Sequence, residues 1–373
     1  MKSGNIYSVN DKGISDAINQ SKVTKADVND LFYSRGIIVS AETNRKSLAD
    51  YFSMFIHDYY DYQKLAQILG THNRRDKSTV SYIAMDEITF EDVETAANEL
   101  NEKLGDFDAT SHINRRGDTI EIVLNYRVVN FNKSEFRQVD DREAAITLSI
   151  ENEKLCIRSP HEETVKNIEK ILLSTVEENT DKKLVIERIN LEGVSDPIKR
   201  TEFFEKLVNG LEGLDHYDVT DVFIYHPKNL DDNKDNDEDN SSSEESEGTV
   251  DLGVHITKAS LKGEKVLQSE ELSGLYEKGF YIWKIVWHSK SDSYDSDIYE
   301  FEAQFSNPDS FTDFSYLPRG FYRYKEGGAH NVSKTGFSKQ QEKELGKKIE
   351  ISALNAVDSI LDSLRDGEDD EES

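Results

Sequence analysis

Apolar positions along this chain recur at two periods, and each change of period marks a change of element. At helical spacing, Val28, Leu31 and Phe32 form a first stripe that Thr24 can cap with Asp27 and Gly36 can stop. The β-branched run Ile37-Ile38-Val39 favours an extended arm, and Thr43 or Asn44 caps a second helix carrying Leu48, Phe52, Phe55 and Tyr59. A third helix is expected from Asp61 through Leu69, ended by Gly70. Thr89 and Asp92 open a fourth, with Val93, Ala96 and Leu100 on one face. The period then drops to two over Ile120-Ile122-Leu124-Tyr126-Val128 and over Ile146-Leu148-Ile150, which predicts neighbouring antiparallel strands. Leu155-Cys156-Ile157 adds a short apolar run after them. Helices over 162–176 and 195–211 and strands over 184–191 and 219–224 follow.

Beyond a polar gap, Leu252, Val254 and Ile256 alternate, and a short helix fits 270–277. The nearly continuous apolar run Phe280–Trp287 reads as a strand buried on both faces, and Tyr299, Phe301, Ala303 and Phe305 alternate as another. Ser338 caps a long final helix through Ile360. Hairpins and helix pairs, rather than strict βαβ alternation, predict an α+β fold with largely antiparallel sheets. The expected division is a helical module at 1–82, α+β domains at 83–228 and 250–365, an acidic linker at 229–249 and an acidic tail at 366–373.

Charge sharpens this picture. The 373 residues carry a net charge of −29, so a surface that coats nucleic acid everywhere is excluded by its own field. Two acidic stretches hold nearly half of that charge: 231–248 has nine acids against Lys234, and 366–373 has six against none. Their Asp/Glu/Ser/Asn composition predicts solvated segments. Asp231, Asn233 and Asp235 imitate the start of a calcium loop, yet Asn236 and Ser242 stand where its glycine and closing acid belong. A single cysteine, Cys156, rules out an internal disulfide and predicts a buried, inert thiol. No apolar run has membrane-spanning length and the first residues lack a signal-peptide core, so a cytoplasmic protein with no membrane partner is expected.

Against that background, 22–77 is locally basic, nine Lys/Arg to seven Asp/Glu. The stretch VTKADVNDLFYSRGIIVSAETNRKSLADYFSMFI, residues 23–56, resembles the helix-extension-helix pattern of SAP-like modules. That resemblance implies DNA binding, with phosphates met by Arg35, Arg45 and Lys46. Glu42, Asp27 and Asp30 dilute this face, and the family's turn glycine is missing before Arg45. The basic loop that follows adds Arg74, Arg75 and Lys77 as phosphate candidates. In the C-terminal half, Arg319-Gly320-Phe321-Tyr322-Arg323-Tyr324-Lys325 interleaves bases and aromatics. Arg319 and Arg323 there could serve a single-strand platform, or the run is simply a strand.

Enzyme signatures are scarce. Glu302-x-Gln304 resembles the Glu-x-Lys element of restriction-like nucleases, and Asp292, Asp295, Asp297 and Glu300 supply further oxygens for a divalent metal, but Gln replaces the lysine. Walker, nucleophile-elbow, Rossmann and zincin motifs are absent. The expectation is a non-catalytic, cofactor-free accessory protein that binds nucleic acid, of a kind that serves bacterial DNA processing or phage defence. Two alternatives stand beside it. One is a metal-dependent nuclease; the other is a protein-interaction subunit or homo-oligomer that uses Tyr51, Phe55 and Tyr59.

Overall fold

The computed structural model describes residues 10–69, 75–85, 88–132, 136, 138–227 and 257–371, the side chains of 106 and 366–371 apart. In chain order the elements begin with helices α1 (Asp11–Ile18), α2 (Lys25–Tyr33), α3 (Arg45–Ser53) and α4 (Tyr59–Leu69). Strand β1 (Ser78–Ala84), helix α5 (Phe90–Lys103) and strands β2 (Ala109–Arg116), β3 (Thr119–Val129), β4 (Val139–Glu151) and β5 (Lys154–Pro160) come next. Then follow α6 (Glu163–Thr180), β6 (Ile186–Arg188), α7 (Pro197–Asn209), β7 (Asp215–Tyr225), β8 (Lys258–Lys262) and α8 (Glu270–Tyr276). The chain closes with β9 (Tyr281–Lys290), β10 (Ile298–Asn307), β11 (Thr312–Tyr322) and α9 (Lys339–Glu371). The fold is α+β, and every strand pair whose register is described is antiparallel. Arg74, the acidic linker with its Asp231, Asn233 and Asp235, and the alternating 252–256 lie outside the described residues. The acidic tail continues α9 as helical backbone to Glu371.

Where the sequence suggests consecutive domains, two compact units each draw on separate stretches. Unit 1 takes Met1–Arg75, Glu87–Leu148 and Glu163–Lys183; unit 2 takes Asp76–Asp86, Ser149–Glu162 and Leu184–Ser373. In unit 1 the N-terminal helices close over Ile14, Ile18, Leu31, Phe32 and Phe52. Their ends are set by local chemistry. Thr24 and Asp27 form a reciprocal capping box on α2, Gly36 turns the chain with φ of 75°, and the Asn44 side chain caps α3. Helix α1, which the sequence reading passes over, contributes Ile14, Ala17 and Ile18 to that core. Helix α4 starts two residues before the expected Asp61, because Asp58 accepts from the Asp61 N–H while Asp61 returns the bond to the Asp58 N–H.

Unit 2 is built on strands in the order β5-β1-β11-β10-β9-β7-β8, with β6 also on β1. One face is covered by α7 and α9, whose Phe203, Phe204, Leu207, Ile349 and Ala353 pack on Phe301, Phe305 and Trp287. Pro197 at the first helical position and Asp196 as cap fix the start of α7. Gly210 ends it where a side chain would collide with Ser352, whose hydroxyl caps the Leu207 carbonyl. Arg200 is buried on this side with no carboxylate partner among the described residues. Its guanidinium donates to the carbonyls of Val194, Pro308 and Asp309 and to the Tyr281 hydroxyl, and lies over the Tyr281 and Phe311 rings.

Candidate functional site: a charged sheet face

Alternation along β10 decides where its polar groups go. Phe301, Ala303 and Phe305 point into the helix-covered core, so Glu300, Glu302 and Gln304 emerge on the opposite face. The antiparallel register then sets Lys284 of β9 beside Gln304 and His288 beside Glu300. On the other flank β11 has a register shift between Glu300 and Phe301, with Gly320 facing Glu300. Gly320 has φ of 133°, and a Cβ there would run into the Thr335 carbonyl. That close approach lets Thr335 exchange both backbone hydrogen bonds with Phe321, which carries Lys334 onto Glu300.

Two glutamates are thereby enclosed by four permanent cations. Glu302 Oε1 lies 2.7 Å from both Lys77 Nζ and Lys284 Nζ, and Arg319 Nε sits 3.4 Å from Glu300 and 3.7 Å from Glu302. Lys334 pairs with Glu300, and His288 Nε2 lies 3.7 Å from it. Lys77 also donates to Gln304. Both carboxylates are only 7% exposed. Burial by itself would raise the Glu300 carboxyl, yet His288, Lys334 and the Arg319 charge carry it down to about 2. Glu302 is lowered as well, against burial, by Lys284 and Lys77. Burial pulls the Lys77 ammonium down, opposed by Glu302.

A carboxyl depressed in the folded state stabilises the fold above its unfolded value and loses that contribution as pH falls toward the folded one. Stability of unit 2 is therefore expected to drop between about pH 4.5 and 2. Glu300 alone contributes on the order of 3 kcal/mol across that window. Urea titrations at stepped pH check this, and Glu300→Gln should flatten the curve there.

Of the eight basic residues singled out from sequence, Arg74 lies outside the described residues, Arg35, Arg45, Lys46 and Arg75 belong to unit 1, and Lys77, Arg319 and Arg323 to unit 2. Arg35 is ion-paired to Asp61, touches His57 Nδ1 and lies over the Phe52 and Phe55 rings. Arg45 donates to the carbonyls of Ile18, Gln20 and Val23 and so fastens the end of α1. Both arginines are thus engaged within unit 1, as Lys77, Lys284, Lys334 and Arg319 are engaged by Glu300 and Glu302 in unit 2. Lys46, Arg75 and Arg323 are exposed. Lys77 and Arg319, expected as separate elements, meet at the same glutamates. Lys284 and Lys334 went unnoticed in the sequence, since neither sits in a motif and their partners are strands apart.

Among the described residues no group of three or more His, Cys, Asp or Glu side chains is arranged to hold a metal ion. Asp297 accepts from the Tyr324 N–H and Asp295 from the Ser293 hydroxyl. His161 lies within hydrogen-bond distance of both Asp313 and Ser306, but through the same Nε2, so a Ser-His-Asp relay cannot form. Cys156 is buried and its thiol is pushed up to about 11 by burial and then Glu151, which keeps it unreactive. Among the described residues no helix is long and apolar enough to cross a membrane. No family model matches the chain, and no curated protein is similar to it.

Proposed function

We propose that this protein acts by binding, and that the charged face of the unit 2 sheet meets the phosphates of a single-stranded nucleic acid. The observation that carries this reading is the surplus of Lys77, Lys284, Arg319 and Lys334 over Glu300 and Glu302, within a chain of net charge −29. Such a face attracts an anion where the rest of the molecule repels it, which confines contact to one place. Tyr322, on the same strand as Arg319 and 5.6 Å from the His288 ring, offers a stacking surface beside the cations. DNA is the proposed strand, and an accessory role in bacterial DNA processing or phage defence is the setting that suits such a binder.

The test is fluorescence anisotropy of a labelled single-stranded oligodeoxynucleotide, titrated at several salt concentrations against a duplex of the same sequence. Affinity should fall with salt, and Arg319→Gln should reduce the log–log slope by about 0.7. Lys46→Glu should change little. Salt-independent binding, or indifference to Arg319→Gln, would sink the proposal.

A second reading has its own observation. Tyr33, Ile38, Met54, Ile56 and Tyr60 of unit 1 are all more than two-thirds exposed, with Tyr51 half exposed, a concentration of apolar surface that suits a protein partner. If the strand does not bind while sedimentation shows a mass above the monomer, this surface is the functional one.

A further inference from the structure

The face of the unit 2 sheet opposite α7 and α9 carries more than the cluster around Glu300 and Glu302. On β7, Val222 and Ile224 point into the helix-covered core, so Phe223 between them faces the other way. Lys284 Nζ, which also binds Glu302, lies 4.6 Å from the centre of the Phe223 ring. There the register slips. Phe223 pairs with Lys284 but Ile224 with Ile282, which leaves Trp283 as an extra residue in β9. Ile282 and Ile285 are buried in the core, and the bulge turns Trp283 to the side of Lys284, edge-on to Phe223 with ring centres 6.2 Å apart. Trp283 and Phe223 are each half-buried. The indole Nε1 is sealed from solvent, so a partner of Trp283 meets ring carbon. Cations from β8 complete the group. Lys258 Nζ stands 5.2 Å from the centre of the Trp283 ring, and Lys262 Nζ is 5.9 Å from that of Phe223 and 2.8 Å from Asp221.

We propose that a base of the bound single strand stacks on Trp283, so that the strand runs from Arg319 on β11 to Lys258 on β8. Such stacking depends on the phosphate contacts proposed above and adds a second base to the one at Tyr322. Strands β11, β10, β9, β7 and β8 lie side by side, so that path crosses about 19 Å of sheet. Complementarity selects the ligand. A single strand alternates anions with flat π faces, and this side of the sheet sets ammonium groups beside rings. A duplex keeps its base faces stacked inside, and an acidic peptide would engage the lysines but leave the indole uncovered. An ammonium over a solvent-exposed ring is a weaker partner than a stacked base, so the base displaces Lys258, whose charge then meets the neighbouring phosphate. Phe223, held by Lys284, props the indole from its edge.

Tryptophan emission of the full chain, titrated with an unlabelled oligothymidylate, provides the test. Trp287 is fully buried, so a stacked base can quench Trp283 alone. Part of the emission should be lost at saturation, and Trp283→Phe should abolish that quench while keeping most of the affinity, because a phenyl ring still stacks. Trp283→Leu should weaken binding by about tenfold, the loss of one stacked base. An abasic strand of equal length carries the same phosphates; it should quench nothing and bind wild type and Trp283→Leu alike. Lys258→Gln should make the log–log salt slope shallower by about 0.7. No quench at saturation, wild-type affinity of Trp283→Leu for the thymidylate, or an unchanged slope in Lys258→Gln would overturn the proposal. If Arg319→Gln still weakens binding in that event, the phosphate face stands without the stacking site. If neither strand binds at any salt concentration, both fall together.

Discussion

Replacing Arg158 by methionine is expected to lower the unfolding free energy by on the order of 3–5 kcal/mol. Arg158, on β5, uses its whole guanidinium. Nε is 3.0 and 3.1 Å from the two oxygens of Glu350, Nη2 reaches Glu350 and Glu151, and Nη1 reaches Glu151 and Ser149. Glu350, on α9, is 2% exposed and also accepts from the Tyr316 hydroxyl. Glu151 has Lys347 as a second cation and is carried down to about 2, against burial, by Arg158 and then Lys347. Without Arg158, Glu350 keeps its burial and loses its countercharge, so α9 must lift away or take up a proton. The double variant Arg158→Met/Glu350→Gln should recover much of the loss, because a neutral amide needs no countercharge. Urea unfolding followed by Trp283 and Trp287 fluorescence measures both, and a single-variant cost below about 1 kcal/mol would show the network to be solvated.

Arg200→Ala should cost a comparable 3–5 kcal/mol by a different route. Here the cation is held by carbonyl oxygens, so its removal strands the Val194 carbonyl, frees that of Asp309, leaves the Tyr281 hydroxyl and the Pro308 carbonyl only each other, and strips the guanidinium from two aromatic rings. The carbonyls belong to Val194, ahead of α7, and to Pro308 and Asp309, between β10 and β11. Arg200→Lys should rescue little, since one ammonium cannot span contacts that a planar fork reaches together. Thermal unfolding compares the two, and full rescue by lysine would mean that charge alone matters at this position.

How much of this was legible beforehand depends on how local the cause is. The alternation from Ile120 to Val128 became β3, and Ser338, whose hydroxyl accepts from the Gln341 N–H, does open α9. Helix caps at Thr24, Asn44 and Thr89 lie where side-chain chemistry put them. The expected strand over 184–191 shrinks to β6, because Leu191 instead bonds the Phe311 carbonyl and the chain turns toward α7. Strand β1, with Ser78, Thr79 and Ser81 set among Val80, Tyr82 and Ile83, has no apolar period to announce it; its reason is the ladder it forms with β5, residue for residue from Ser78 to Ala84. Strand β11 holds Pro318 and Gly320, which argue locally against a strand, and β2 is nearly all polar. The charged face was read in fragments for the same reason. Glu302 resembled a metal ligand while its neighbours were the apolar strand alone, and the Lys77 that answers it comes from the far end of the sequence.

The strand order also has a consequence for how these molecules behave in a crowd. Among the described strands of unit 2, β8 closes the row, and its ends carry Lys258 and Lys262 on a backbone with one side unclaimed. An unclaimed ladder of amides is a template for any extended peptide that drifts by, and hence a seed for fibrils. Paired ammonium groups on both borders make each approaching copy pay to bury charge, while Lys258 rests over the Tyr225 and Trp283 rings and Lys262 over Phe223. Replacing Lys258 and Lys262 together by threonine is thus expected to promote edge-to-edge association at high concentration.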